Sequence, residues 1–253
     1  GSSAMARRVT TPLRSLLAAT RRLSRGDYSV PMEHTARSDE VGDLARSFDH
    51  MRIDIGRQQA EIRNLAYRDR LTGLPNRERF RAALLDALRV DPLPGHSLAV
   101  LMLDLDRFKH VNDVLGYAFG DRLLQAVAGR LQPMAGTPGD MVARHGGNEF
   151  ALLLHVADAQ AALRVAERIA RAFETSIQFD DQTVDLSASM GIALWPEHAQ
   201  DADMLLNRAE IAMYGAKKRL SVALLYDPAL DSSSAQTLSL LGDLRRAVEH
   251  GEL

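Results

Sequence analysis

Two carboxylates, Asp104 and Asp106, stand one residue apart at the end of the apolar run "LAVLMLDLDRF". Side chains on a strand alternate with period two, so the pair would share a face. A lone acid at a strand end is ordinarily a solvated terminus. Two spaced acids after a fully apolar strand suit a hard cation better, since Mg²⁺ is commonly held by one or two carboxylates plus substrate phosphates. Further on, "RHGGNEFALLL" places Gly146 and Gly147 directly before Asn148 and Glu149. Glycines accept positive φ and carry no side-chain bulk, so backbone amides can approach an anion. Taken alone the pair says only that a hairpin turns there. Its company gives it weight: acids upstream, an acid just after it, and Lys217 on a downstream helix.

These residues need a sheet to hold them. "DRLTGLPNRERF" reads as a turn followed by a helix to about residue 90, and "DPLPGHS" as the loop before the buried strand. Helices are expected over roughly 107–115 and 119–132, then the glycine hairpin and a helix near 158–175. A strand through "VDLSASMGIAL" and a helix over "DADMLLNRAEIAMYGAKKR" follow. Interleaved strands and helices predict an α/β or α+β sheet domain.

The first sixty-odd residues have a different texture. Val9, Leu13, Leu16, Thr20 and Leu23 recur at alternating spacings of four and three. Val41, Leu44, Phe48, Met51, Ile55, Gln58, Ile62 and Leu65 repeat the beat after "GDYSVPMEHTARS". Such a narrow apolar seam wants a partner helix; the bland alternative is a pair of surface helices on a globular core. Ser38 is the expected N-cap of the second helix, with Asp39 and Glu40 in its first turn. Pro12 is expected early in the first helix, where proline is best tolerated.

Composition narrows the classes. The 253 residues carry 46% hydrophobic and 25% charged side chains, an ordinary soluble composition, and a net charge of −2 gives no basic field for a nucleic acid polymer. Cysteine is absent, which excludes disulfides and thiolate metal sites. The longest uncharged apolar run, residues 98–103, is far too short to span a bilayer. The opening "GSSAM" reads as an expression scar over residues 1–5.

"DRLTGLPNR", "DLDRFKHVNDVLGYAFGD", "RHGGNEF", "SASMGIALWP" and "AEIAMYGAKK", in that order and spacing, resemble the GGDEF family of bacterial diguanylate cyclases. Those enzymes join two GTP molecules into cyclic di-GMP. The resemblance covers about residues 67–226. It implies an α+β, palm-like domain with a central mixed sheet flanked by helices, using two Mg²⁺ (or Mn²⁺) ions to activate a ribose hydroxyl. It further implies metal ligation by Asp104, the Leu105 carbonyl and Asn148, and catalysis by Asp104, Asn148 and Glu149. Asn112 and Asp121 would read guanine. Gly146 and Gly147 would lie against the phosphates, Lys217 would contact the terminal ones, and Phe108 and Lys109 would flank that loop. Phe108 as plain core and Lys217 as a solvated lysine are the structural alternatives.

Pro12, the connector "GDYSVPM" and "DEVGDLARSFDHM", with Glu40 and Gly42, resemble the HAMP linker of bacterial membrane receptors. That implies an all-α four-helix bundle formed on dimerisation, relaying movement from an upstream transmembrane helix at the cytoplasmic face of the inner membrane. "LLGDLRRAVEHGEL" at the C-terminal end resembles the opening of an EAL phosphodiesterase domain. The expected layout is then a HAMP domain over 6–56, a signalling-helix linker over 57–68 and a GGDEF domain over 69–227. A linker with the first helix of a truncated EAL domain would occupy 228–253.

Four positions depart from the GGDEF pattern. Asn148 stands where an Asp or Glu metal ligand is usual, and Tyr117 where histidine follows "VLG". "RLSV" replaces the arginine-bearing segment after the "AK" helix, and Thr137 replaces the arginine of the Arg-x-x-Asp product site, leaving Asp140 alone. At an effective dielectric of ~20, two unit charges about 4 Å apart interact by about 4 kcal/mol. With partial compensation the missing charge would cost ~2–4 kcal/mol, or about 30- to 1000-fold in rate. The expectation is a domain that binds GTP and Mg²⁺, has weak or no cyclase activity, binds cyclic di-GMP weakly if at all, and regulates a downstream EAL domain. An active cyclase and a nucleotide-free dimerisation spacer are the alternatives.

Overall fold

The structure, a computed structural model, describes residues 2–90 and 95–232. The EAL-like stretch at the C-terminal end lies outside the described residues, as does most of the "DPLPG" loop. The chain divides into two compact units, residues 1–66 and 67–253.

In the first unit, helix α1 spans Ser2–Ser24 and α2 begins at Glu40 and runs unbroken to Tyr67. The continued seam beyond Ile55 predicts that length. Pro12 falls inside α1 rather than at its start, because the helix reaches back through the leading residues. The cap of α2 also differs from expectation. Asp39, not Ser38, accepts from the Gly42 amide at 3.1 Å, and Arg37 clamps the same carboxylate. Gly42 is required where it stands: a Cβ there would lie 2.1 Å from the Arg37 carbonyl oxygen. Arg46 donates to the carbonyls of Thr35 and Arg37, and Arg52 to that of Tyr28, which ties the connector along α2. A small core of Leu16, Ala19, Met32 and Ala45, edged by Leu23 and Phe48, closes the unit.

The second unit is built on a five-stranded mixed sheet. Its strands are β1 (Ser97–Leu105), β2 (Met141–Gly146), β3 (Glu149–Val156), β6 (Ala188–Trp195) and β7 (Ala223–Leu225), in the order β2-β3-β1-β6-β7. β1 pairs antiparallel with β3 and β6, and only β6–β7 is parallel. The helices are α3 (Arg77–Leu88), α4 (Phe108–Leu115), α5 (Tyr117–Leu131), α6 (Ala159–Glu174) and α7 (Ala202–Lys218). The period-two alternation of β1 sorts the core. Ala99, Leu101, Leu103 and Leu105 join the cluster that includes Leu124, Val127 and Ile169 from α5 and α6. Leu98, Val100 and Met102 join Phe80 and Leu84 from α3 and Leu205, Ala209 and Ala212 from α7. A sheet covered on both faces explains why β1 reads as an uninterrupted apolar run. The mixed sheet flanked by helices is the fold class that the motifs imply.

One expected strand divides. Val184 closes a separate hairpin, β4 (Ile177–Phe179) with β5 (Gln182–Val184), and β6 begins only at Ala188. Asp180, at φ 52°, makes the tight turn between them.

Candidate functional site

The first helical motif acts on the glycine hairpin rather than on a ligand. Asp69 accepts from both the amide and the hydroxyl of Thr72, at 2.8 and 2.7 Å, and holds the turn before α3. Asn76 caps α3 by accepting from Arg79 N at 3.0 Å. Arg144 then joins the two motifs. It donates to both Asp69 carboxylate oxygens at 3.1 and 3.2 Å, and to the Gly147 carbonyl at 3.1 and 2.8 Å. Burial alone would raise the Asp69 pKa, but the Thr72 hydrogen bonds and the Arg144 charge outweigh it and the pKa is lowered. Sequence reading did not assign Arg144 a role; its signal was an arginine immediately ahead of the turn.

The hairpin carries a register shift between Arg144 and Gly146, and the two glycines adopt φ 149° and 50°. No heavy atom lies within 4 Å of a Cβ built at either glycine, so backbone conformation rather than crowding calls for glycine there. Across the ladder, Asp104 faces Glu149 on β3 and Ser189 on β6. All three therefore stand on the α7 side of the sheet, at its end. Asp106 lies one residue beyond β1, and its carboxylate accepts from Ser189 Oγ at 2.8 Å. Strand alternation thus holds for Asp104, while Asp106 reaches the same group from the following turn.

Asp104 Oδ1 is the focus. Its side chain is 12% exposed and takes a 2.9 Å ion pair from Lys217 Nζ, delivered by the last turn of α7. That contact raises the lysine pKa. Asn148 Nδ2 donates to the same oxygen at 3.3 Å and to the Leu105 carbonyl at 2.9 Å. The Asn148 carbonyl accepts from Leu105 N at 3.1 Å, fixing the turn against the strand end. Glu149 has its pKa raised, first by burial and then by the Asp104 charge.

Asp104, Leu105, Asn148 and Lys217 are therefore brought into direct contact. Asp104 and the Leu105 carbonyl fit a hard cation as oxygen donors, whereas Asn148 turns its nitrogen toward them. Among the described residues, no group of three or more His, Asp or Glu side chains converges to hold a metal ion.

A second group sits on α4 and α5. Gly120 lets the Asn112 side chain pack closely, since a Cβ at Gly120 would lie 1.9 Å from Asn112 Oδ1 and 3.3 Å from Phe108 Cζ. Phe108 also packs against the α5–α6 cluster. Among the described residues, the buried side-chain atoms without a hydrogen-bond partner are Asn112 Oδ1 and His145 Nδ1. His145 Nε2 lies 3.5 Å from Glu210 on α7. Lys109 and Asp121 are exposed on their helices.

Asp140 is engaged elsewhere. Its carboxylate accepts from the amides of His155 and Thr137 at 2.8 and 2.9 Å and lies 3.2 Å from His155 Nδ1.

A family model described as "Diguanylate cyclase, GGDEF domain" matches residues 66–221, and one described as "HAMP domain" matches residues 4–57. Diguanylate cyclase TpbB of Pseudomonas aeruginosa is 37% identical over 227 residues, covering 79% of this chain and 52% of that protein. The bifunctional diguanylate cyclase/cyclic di-GMP phosphodiesterase MucR of the same organism is 36% identical, covering 79% and 29%. The chain thus spans about half the length of the first of these relatives, and less of the second. Among solved structures, the isolated GGDEF domain of TpbB matches with a TM-score of 0.63 and 41% identity, covering 67% of this chain and 99% of that one. The coiled coil and GGDEF domain of DgcB from Caulobacter crescentus, in complex with c-di-GMP, matches with a TM-score of 0.64 and 25% identity, covering 73% and 97%. Sheet order, the glycine hairpin across from Asp104 and the family match agree: behind a HAMP domain, this chain belongs to the GGDEF family of diguanylate cyclases.

Proposed function

We propose that the chain is the HAMP–GGDEF portion of a membrane-bound cyclic di-GMP regulator. Its GGDEF domain binds GTP with Mg²⁺ or Mn²⁺, turns it over weakly or not at all, and biases a downstream EAL phosphodiesterase. The observation that carries nucleotide binding is the match of residues 66–221 to the GGDEF family, with Asn112 held on α4 close against Gly120 of α5. Lys217 and the glycine turn stand ready for phosphates, and Asp104 with the Leu105 carbonyl supplies the chain's own oxygen donors to a cation that arrives with them. When bound, that cation would supply charge stabilisation at the attacked phosphate.

Weak turnover is supported by what faces Asp104. An aspartate or glutamate at 148 would add an anionic oxygen, whereas Asn148 adds a hydrogen-bond donor. Poor cyclic di-GMP binding at the product site is supported by Asp140, whose two oxygens are both occupied by its own turn and by β3. Regulation of a phosphodiesterase rests on the EAL-like C-terminal sequence and on the bifunctional name of MucR. The membrane assignment rests on the HAMP domain. No helix among the described residues is long and apolar enough to cross a membrane.

The cyclase names of the relatives favour a second reading, an active enzyme. GTP affinity and cyclic di-GMP formation, measured with Mg²⁺ and with Mn²⁺, decide between them. The wild type should bind GTP and form little product, and Asn148→Asp should raise the rate by about 30-fold or more. Rapid product formation by the wild type would establish the enzyme. Absence of GTP binding would leave a dimerisation spacer.

A further inference from the structure

We propose that Asn148 is the residue that sets cation dependence: in the nucleotide-free protein its amide nitrogen, with Lys217, takes the place of a divalent ion between Asp104 and the Leu105 carbonyl. This rests on the reading of those two oxygens as the chain's cation ligands. The nitrogen donates to both, at 3.3 and 2.9 Å, and so satisfies the two oxygens that would hold a metal ion. Chemistry fixes the orientation of the amide. Turned over, its oxygen would face a carboxylate and a carbonyl, and neither has a proton to share.

Charge completes the substitution. Lys217 Nζ neutralises Asp104 at 2.9 Å on the same oxygen, so Asp104 has both a countercharge and a second donor without any metal. A cation entering here must displace an ion pair and two hydrogen bonds. In exchange it gains one carboxylate, one carbonyl and a rotated amide, a poor donor set for an ion that selects charged oxygens. With a carboxylate at 148 the balance reverses. Its oxygens would face the Leu105 carbonyl and Asp104, with Glu149 directly across the ladder, and three acids meeting there without a cation would repel one another. The glycine turn therefore keeps its shape in the absence of divalent ions because position 148 is an amide.

The test is a Mn²⁺ titration of the nucleotide-free full chain, reading the paramagnetic resonance signal of free aqueous Mn²⁺. Thermal melting in EDTA and in millimolar Mn²⁺ accompanies it. The wild type should leave the signal intact and melt at the same temperature in both solutions. Asn148→Asp should melt lower in EDTA, recover in Mn²⁺, and bind Mn²⁺ at least tenfold more tightly, and adding Asp104→Asn should abolish that gain. Lys217→Met, with Asn148 intact, should also tighten Mn²⁺ binding, so the proposal does not hang on one variant folding without metal. Wild type that takes up Mn²⁺ as tightly as Asn148→Asp, or melts higher in Mn²⁺ by the same margin, overturns it. A failure of GTP binding would remove the proposed function and leave these titrations to stand, because no nucleotide is present in them.

Discussion

Arg144 also holds the glycine turn in shape, through the Gly147 carbonyl. Its guanidinium spans Asp69 and the Gly147 carbonyl, with side-chain exposures of 15% for Arg144 and 20% for Asp69. Exposed pairs are worth ~1 kcal/mol or less and breaking a buried one costs ~3–5 kcal/mol, so Arg144→Ala should destabilise the domain by about 2–3 kcal/mol. Urea unfolding checks this, and a loss below about 0.5 kcal/mol would mean that the turn stands without its clamp. Arg144→Lys should recover part of the loss, since an ammonium cannot bridge two acceptors as a planar fork does. The Asp69 pKa is lowered, so its contribution is present above the unfolded carboxylate value and is lost as pH falls through the folded one. The residues of this site were legible as motifs: Asp104, the paired glycines and Lys217 all stand where spacing and resemblance put them on strand, turn and helix. The direction of the Asn148 amide was not. Composition gives a neutral side chain, and the Asp104 carboxylate together with the Leu105 carbonyl decides which end of it faces them.

Elements carry these residues only if they pack at one distance, and α7 on β6 is the tightest case. A Cβ at Gly191 would lie 1.9 Å from Met213 N and 2.3 Å from the Ala209 carbonyl, both helix backbone. Gly191→Ala must therefore push α7 away from the sheet, at an overpacking cost of about 1–3 kcal/mol or more. Lys217 rides on that helix, so GTP affinity should fall together with the melting temperature. An unchanged melting temperature would contradict the close approach. Strand β1 and helix α7 were readable because one is continuously apolar and the other follows a recognised motif. The β4–β5 hairpin was missed because its signal is two three-residue strands around Asp180–Asp181, too short for periodicity to register. At α2, Ser38 and Asp39 both carry capping side chains, and Arg37 decides between them by pairing with Asp39. That pair, with the Gly42 amide, lowers the Asp39 pKa from 3.8 to about 2. Its stabilisation of α2 is complete above about pH 4 and drains away as pH falls toward 2, the direction expected for a depressed carboxylate. Asn is an equal N-cap acceptor without the charge. Asp39→Asn should therefore retain α2 near neutral pH and flatten the acid limb of a circular dichroism titration, whereas Asp39→Ala should lose helix at both pH values.

The two units differ in how much of their apolar surface they bury by themselves. Both clusters of the GGDEF unit are assembled entirely from residues beyond the HAMP region, beginning with Leu71 and Leu74. Among the described residues the HAMP unit gathers only the small cluster Leu16, Ala19, Met32 and Ala45, while Leu13, Leu44, Met51, Ile62 and Leu65 of the heptad seam are 41–58% exposed. A unit of this size rarely folds on so small a core, and exposed apolar residues at four-three spacing fit the holes of a matching helix. A second copy of the same seam is self-complementary, and the HAMP family implies that partner. Removing residues 1–66 should accordingly leave the GGDEF unit folded, with its own cooperative unfolding, and weaken dimerisation by an order of magnitude or more. Met51→Asp and Leu44→Asp in the full chain should do the same without shortening it, since each places charge in a seam that must be desolvated. Sedimentation equilibrium of the full chain, the truncated chain and the two variants checks this. Equal dimer affinity in all four would mean that the seam pairs with nothing, and that association of the chain resides in the GGDEF unit. Two GTP molecules must meet to form one cyclic di-GMP, so the same measurement bears on Asn148→Asp. If its restored activity depends on dimerisation, it should vanish when residues 1–66 are removed and return at high protein concentration.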